Sequence, residues 1–140
     1  MITIRPAVES DTPRIARVYQ DCMNTAEWMA EVRPELMDYE RVTAGEMVFV
    51  AVDPSGGIVG FLSIWRPECF VHHLYVSESM RRQGVGKALL ASLDSWLPRP
   101  WTLKCSFENV SALKFYQSLG WMIMSEGENE DGRYYLMTFK

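Results

Sequence analysis

The chain has 140 residues and a mass of 16.1 kDa, enough for one domain over residues 1–140 and too little for two with separate cores. Hydrophobic residues at 48% and charged residues at 23% exclude an intrinsically disordered chain. Basic residues number 14 and acidic residues 18, and the resulting charge of −4 excludes a nucleic-acid partner held by general phosphate neutralisation.

Ile2 to Ala7 alternates Ile2 and Ile4 with polar neighbours and runs into a proline, which predicts an opening strand. Ser10-Asp11-Thr12-Pro13 is a helix start, and Ile15, Val18, Tyr19, Cys22 and Met23 follow as one buried stripe. A second helical stretch is expected from about Pro34, with Leu36, Met37 and Val42, stopping near Gly45. The apolar run Met47 to Val52 fits a strand buried on both faces. Asp53 to Gly57 is a turn cluster, and Ile58 to Trp65 returns as the second strand of a hairpin. Phe70 to Val76 is a further strand, rich in β-branched and aromatic residues.

Gly84 to Leu97 reads as a helix with Val85, Ala88, Leu89, Leu93 and Trp96 on one face, ended by Pro98 and Pro100. Trp101 to Phe107 is a strand. Asn109 can cap a helix that carries Ala112, Phe115, Tyr116 and Leu119, and Gly120 can stop it. Trp121 to Ser125 and Arg133 to Phe139 are strands around a polar loop, Glu126 to Gly132. The order β-α-α-β-β-β-α-β-α-β-β implies a mixed α/β domain around one sheet. Trp28, Met29, Met37 and Trp65 are expected in the core.

Cys22, Cys69 and Cys105 are too far apart for a metal-binding or disulfide pattern. No apolar run reaches membrane-spanning length and the first residues lack a signal-peptide pattern, so a cytoplasmic protein without a membrane partner is expected.

The chemistry is concentrated in Leu74 to Ala88, which runs strand, polar turn, two glycines, helix. Glycines at a helix start let backbone N–H groups approach an anion, and the helix end adds a partial positive charge. Arg81, Arg82 and Lys87 add full charges, so the segment is a candidate phosphate site; solvated charges on a glycine turn are the plain alternative. The P-loop pattern fails here, with Arg81 at its first glycine and Ala88 at the hydroxyl position. The dinucleotide fingerprint fails at Leu89. What remains is Arg-x-x-Gly-x-Gly, at Arg81, Gly84 and Gly86.

With its flanks, this pattern resembles the GNAT superfamily of acetyl-CoA-dependent N-acetyltransferases, whose Q/R-x-x-G-x-G/A loop holds the CoA pyrophosphate. Asn109 to Trp121 resembles a second segment of that family, N-x-x-A-x-x-F-Y-x-x-x-G-F/W. The resemblance implies a single-domain α/β fold with a mixed, mostly antiparallel sheet of about six to seven strands, about four helices and splayed central strands. It implies acetyl-CoA as cosubstrate, with no metal. Leu74, Tyr75 and Val76 would line its arm, and Arg81, Arg82, Gln83, Gly84, Val85, Gly86 and Lys87 would hold its diphosphate. Asn109 matches a position that contacts the arm.

By the same match Tyr116 is the general acid that protonates the departing thiolate; packing of the helix is its alternative role. The family's bases are missing. The glutamate of the N-terminal-alanine acetyltransferases is Lys104 here, and that of the histone-acetyltransferase branch is Phe70. His72 remains, matching a histidine of the serotonin N-acetyltransferase type, and it titrates in the useful range. A packed strand histidine is the other reading. Strand alternation puts His72 on the face of Leu74 and Val76 and His73 on the opposite face, so the pair is not expected to bind metal. Cys105, in mid-strand with no histidine near it in sequence, is expected to be a buried structural thiol.

The expected reaction is transfer of acetyl to a primary amine by direct attack. The alternative is a catalytically weak acyl-CoA sensor with the same fold. The acceptor is a small molecule or a peptide amine, and a homodimer is compatible with the sequence. The resemblance implies that two regions flank the acceptor cleft, and both are acidic: Glu27, Glu31, Glu35, Asp38, Glu40 and Glu46 against Arg33 and Arg41, and Glu126, Glu128, Glu130 and Asp131 against Arg133. This favours a cationic acceptor, and solvated helix and loop faces are the other reading.

Overall fold

The computed structural model describes residues 1–24 and 39–140. Its strands are β1 (Thr3–Pro6), β2 (Met47–Val52), β3 (Ile58–Trp65), β4 (Phe70–Val76), β5 (Trp101–Ser106), β6 (Met122–Asn129) and β7 (Gly132–Phe139). They form one sheet in the order β1-β2-β3-β4-β5-β7-β6. Every neighbouring pair is antiparallel except β4 and β5. The helices are α1 (Thr12–Asn24), α2 (Tyr39–Val42), α3 (Val85–Ala91) and α4 (Val110–Ser118). The expected element order and mixed sheet are therefore found.

Helices cover both faces. On one, the α1 stripe of Ile15, Val18, Tyr19, Cys22 and Met23 packs with Tyr39, Val50 and Phe61. On the other, Val85, Leu89, Leu90 and Leu93 pack against Leu62, Ile64, Val71, Leu103 and Met137, with α4 alongside. Turning each of these side chains out of water stabilises the fold by about 1.5–3 kcal/mol. The strand buried on both faces is β3, which lies mid-sheet; β2 buries only Val50 and Ala51, because its start lies near the sheet margin. Asp11 pins α1 to β1: its carboxylate accepts from Val8 N at 2.8 Å and Arg5 Nη1 at 2.7 Å.

Three expectations need correction. The helix after Gly84 keeps α geometry only to Ala91 and tightens into a 3-10 turn over Ser92–Ser95. Glu126 to Asn129 are not loop: they extend β6, which pairs with β7 up to Asn129↔Gly132 and leaves a tight turn at Glu130 and Asp131. Trp65 closes β3 at its outer end and is 39% exposed, not core. The second helix is described only at Tyr39–Val42, where Thr43 Oγ1 donates to Tyr39 O at 2.8 Å. Its expected beginning at Pro34, with Leu36, and the core expectation for Trp28, Met29 and Met37 lie outside the described residues.

The parallel pair is the feature that makes a site. β4 and β5 pair only through Phe70↔Thr102 and Val71↔Leu103. Beyond these residues no ladder joins the two strands, and the rest of β4 faces a gap instead of a neighbour. The splay expected of the central strands is thus present.

Candidate active site

The C-terminal half of β4 offers backbone. Leu74, Tyr75 and Val76 remain paired to β3 through Leu62, Phe61 and Gly60, so their other edge faces the gap. Gly60 brings β3 close to α3: a Cβ there would lie 3.0 Å from Tyr75 O and 3.3 Å from Val85 Cγ1. Val76 O accepts from Arg81 Nε at 3.2 Å and from Cys22 Sγ at 3.4 Å. Arg81 is thereby folded back onto the strand. The Tyr75 ring packs on Tyr19 and Phe61, and its hydroxyl donates to Met23 Sδ at 3.6 Å.

The loop that follows has left-handed backbone at Arg82 (φ 65°) and at Gly84 (φ 81°). Gly84 is the residue before the first turn of α3, and a Cβ built on it would meet nothing within 4 Å. It therefore presents bare backbone to open space at a helix start whose first N–H groups have no partner within the helix. Gly86 differs. A Cβ there would stand 3.2 Å from Phe115 Cζ, so its missing side chain lets α3 and α4 approach. Val85 is buried, and only its main chain can reach a ligand. Arg81, Arg82, Gln83 and Lys87 are exposed, with Gln83 Nε2 donating to Ser79 O at 3.3 Å.

Asn109 caps α4, its Oδ1 accepting from Ala112 N at 3.3 Å, and this leaves its amide NH2 for another partner. About two helical turns further on, Tyr116 packs between Phe115 and Trp121. It is one of the partly buried side chains packed against the core cluster that holds Leu103 and Cys105 of β5. Burial pushes the Tyr116 phenol up from its ordinary value, so it keeps its proton and can only donate. Burial likewise pushes the Cys105 thiol up to about 11, as befits a structural thiol and not a nucleophile.

The N-terminal half of β4 offers side chains, and here strand alternation misleads. Ser63 pairs with His73 and Ile64 with Val71, so His72 has no partner on β3: it is the extra residue of a β-bulge. The bulge breaks the alternation and brings both imidazoles together, with ring centroids 3.9 Å apart. His72 does not share the face of Leu74 and Val76. Instead its Nδ1 lies 2.5 Å from Glu46 Oε2, while His73 Nδ1 lies 3.8 Å from Glu46 Oε1 and 2.8 Å from Ser63 Oγ.

Glu46 is 6% exposed and His72 40% exposed, so the carboxylate is inside and the imidazole outside. Burial alone would raise the Glu46 carboxyl, but the hydrogen bond from His72, with the His73 ring close by, outweighs it and holds the group at about 2. Burial pushes His73 below the ordinary histidine value, so it is neutral. Sequence reasoning placed Glu46 only in an acidic region and missed its pairing with His72, 26 residues away and beyond any local motif. It also separated His73 from His72. Lys104 and Phe70, the positions where the family keeps its other bases, sit nearby with Lys104 Nζ 6.0 Å from the Phe70 ring and 4.9 Å from that of Tyr134.

The comparisons agree with this fold. Residues 44–123 match the family model described as an acetyltransferase (GNAT) domain. That is more than half of the chain, and the protein belongs to the GNAT acetyltransferase family. No curated protein matches it in sequence. Among solved structures it is similar to apo YjaB from Escherichia coli, with 21% identity, TM-score 0.81, and coverage of 99% of this chain and 97% of that one. The ribosomal-protein-S18-alanine N-acetyltransferase from Escherichia coli gives 18% identity, TM-score 0.76, and coverage of 99% and 93%. A phosphinothricin acetyltransferase from Sinorhizobium meliloti, solved with AcCoA, gives 22%, 0.71, and coverage of 99% and 87%. At these identities the likeness is one of fold. Among the described residues, no helix is long and apolar enough to cross a membrane.

Proposed function

We propose that the protein transfers the acetyl group of acetyl-CoA to a primary amine by direct attack. The observation that carries this reading is the gap beside Leu74–Val76, followed by the bare backbone of Gly84. An extended, amide-bearing arm can pair with the free edge of β4. Its diphosphate then meets the exposed backbone and charges of Arg81 to Lys87. Arg81 leaves the Val76 carbonyl as the arm takes that acceptor. The Asn109 amide can donate to the arm from the other wall.

Two groups serve the proton transfers. Tyr116, kept protonated, donates to the thiolate that departs when the amine attacks. His72 takes the proton that the amine must lose, directly or through a water. Glu46 accepts from His72 Nδ1, which fixes the tautomer and turns the Nε2 lone pair outward. A donor and an oriented base together favour turnover over a purely sensory role.

The acceptor is read as a cationic amine, a lysine side chain or an N-terminal amine. The tight turn at Glu130 and Asp131 supports this, because it presents two exposed carboxylates at the end of the β6–β7 hairpin. Glu46 is withdrawn from that acidic rim by its histidine partners. Glu27, Glu31, Glu35 and Asp38 lie outside the described residues. The test is steady-state CoA release with amines matched in size and differing in charge. Turnover that favours cations and weakens with salt supports the reading. Tight CoA binding with no turnover on any amine would establish the sensor instead.

A further inference from the structure

We propose that Glu46, His72 and His73 form a binding site for a divalent cation of the zinc type, and that metal there stops His72 from acting as a base. The second half rests on the proton-transfer role given to His72 above; the first half does not.

Three observations converge. First, one donor atom from each of the three residues falls in a cluster no wider than 4.8 Å. Two imidazoles and a carboxylate are a donor set that zinc accepts, with a water in the fourth position. The 40% exposure of His72 leaves an opening for that water and for entry. Second, the bulge is what makes the cluster. Adjacent histidines on a regular strand point to opposite faces and cannot share an ion. Here the unpaired register position at His72 turns both rings to one carboxylate.

Third, Glu46 Oε1 is buried and has no hydrogen-bond partner, although it points at His73 Nδ1 from 3.8 Å. An orphaned carboxylate oxygen inside a protein is costly. Ligand atoms on a tetrahedral zinc stand about 3.4 Å apart, given metal–ligand bonds of about 2.0–2.2 Å. The Oε1 to Nδ1 separation is therefore close to what one ion would span. The closer His72 to Glu46 contact needs to open by about 1 Å, which the exposed ring can supply. Ser63 must release His73 Nδ1.

The effect on catalysis follows from the tautomer. Without metal, the single proton of neutral His72 sits on Nδ1, held by Glu46, and Nε2 carries the lone pair. Metal on Nδ1 needs that nitrogen's lone pair. The proton then moves through solvent to Nε2, and no acceptor for the amine proton remains on the ring.

The experiment is calorimetric titration of chelator-treated protein with zinc sulfate, repeated for His72→Ala and Glu46→Gln. Cobalt(II) absorbance provides a second readout of coordination. The expected result is one equivalent bound, four-coordinate cobalt bands, and affinity at least about tenfold weaker in either variant. No saturable binding, or equal affinity in all three proteins, overturns the site. His72→Ala alters an exposed ring, so it decides the matter even if Glu46→Gln fails to fold. Turnover is then followed with and without zinc. Inhibition reversed by chelator is expected. Zinc bound at this site with turnover unchanged overturns the claimed effect on His72 and counts against its role as base, leaving the site itself standing.

Discussion

The two halves of β4 do different work. From Leu74 onward the strand has a neighbour on one side only, is followed by exposed cations, and presents main-chain groups to a gap. From Phe70 to His73 it is paired or bulged and presents imidazoles to a carboxylate that is 6% exposed. The first half suits a long ligand recognised by its amides and phosphates, because backbone repeats along a strand. The second suits a single proton or ion, because side chains converge on a point. One residue of bulge marks the change from an edge that offers main-chain groups to a face that offers side chains.

The comparison can be broken by substitutions that separate affinity from turnover. The largest effect expected is on Tyr116→Phe, which keeps the ring and removes the donor. Its kcat should fall about a hundredfold or more, with CoA affinity unchanged in calorimetry. Wild-type turnover would make Tyr116 a packing residue. His72→Ala should cost turnover by about a hundredfold as well, and added imidazole should restore part of it. If this variant instead loses CoA affinity, the bulged half is not the separate unit described here.

Gly84→Val tests the open half. A Cβ there clashes with nothing, but at φ 81° it is strained, and it fills the space a diphosphate would occupy. CoA affinity should fall about tenfold or more, equivalent to about 1.4 kcal/mol, while thermal denaturation still shows one cooperative unfolding transition. Unchanged affinity would remove the loop from the cofactor site.

The smallest effect serves as a control away from both halves. Hydrogen bonding to Arg5 and to Val8 N holds the Asp11 carboxyl at about 2, below its ordinary 3.8. A carboxyl depressed in the folded state stabilises the fold above its unfolded pKa, and that contribution disappears as pH falls from about 4 toward 2. Asp11→Asn should therefore cost about 1 kcal/mol near pH 7, less than the full shift implies because Arg5 is 39% exposed to solvent. The difference from wild type should shrink to nothing in acid. CoA affinity and kcat should be those of the wild type. A stability difference that persists at low pH would assign the loss to packing instead.

The amino-acid sequence by itself determined the elements and the open half of the site. The α1 stripe, the hairpin turn, the Asn109 cap and the glycine loop are written in residues a few positions apart, where sterics and local hydrogen bonds act. Even there the structure divided the work of the two glycines, since only packing tells that Gly86 faces Phe115. Tertiary structure alone decided the bulged half. Alternation along a strand is a local rule, and it placed His72 and His73 on opposite faces. The pairing of Ser63 with His73 and of Ile64 with Val71 overruled it, and Glu46 came to both rings from 26 residues away. Register depends on the partner strand and a buried carboxylate on the whole sheet, so neither is legible from the residues around the histidines.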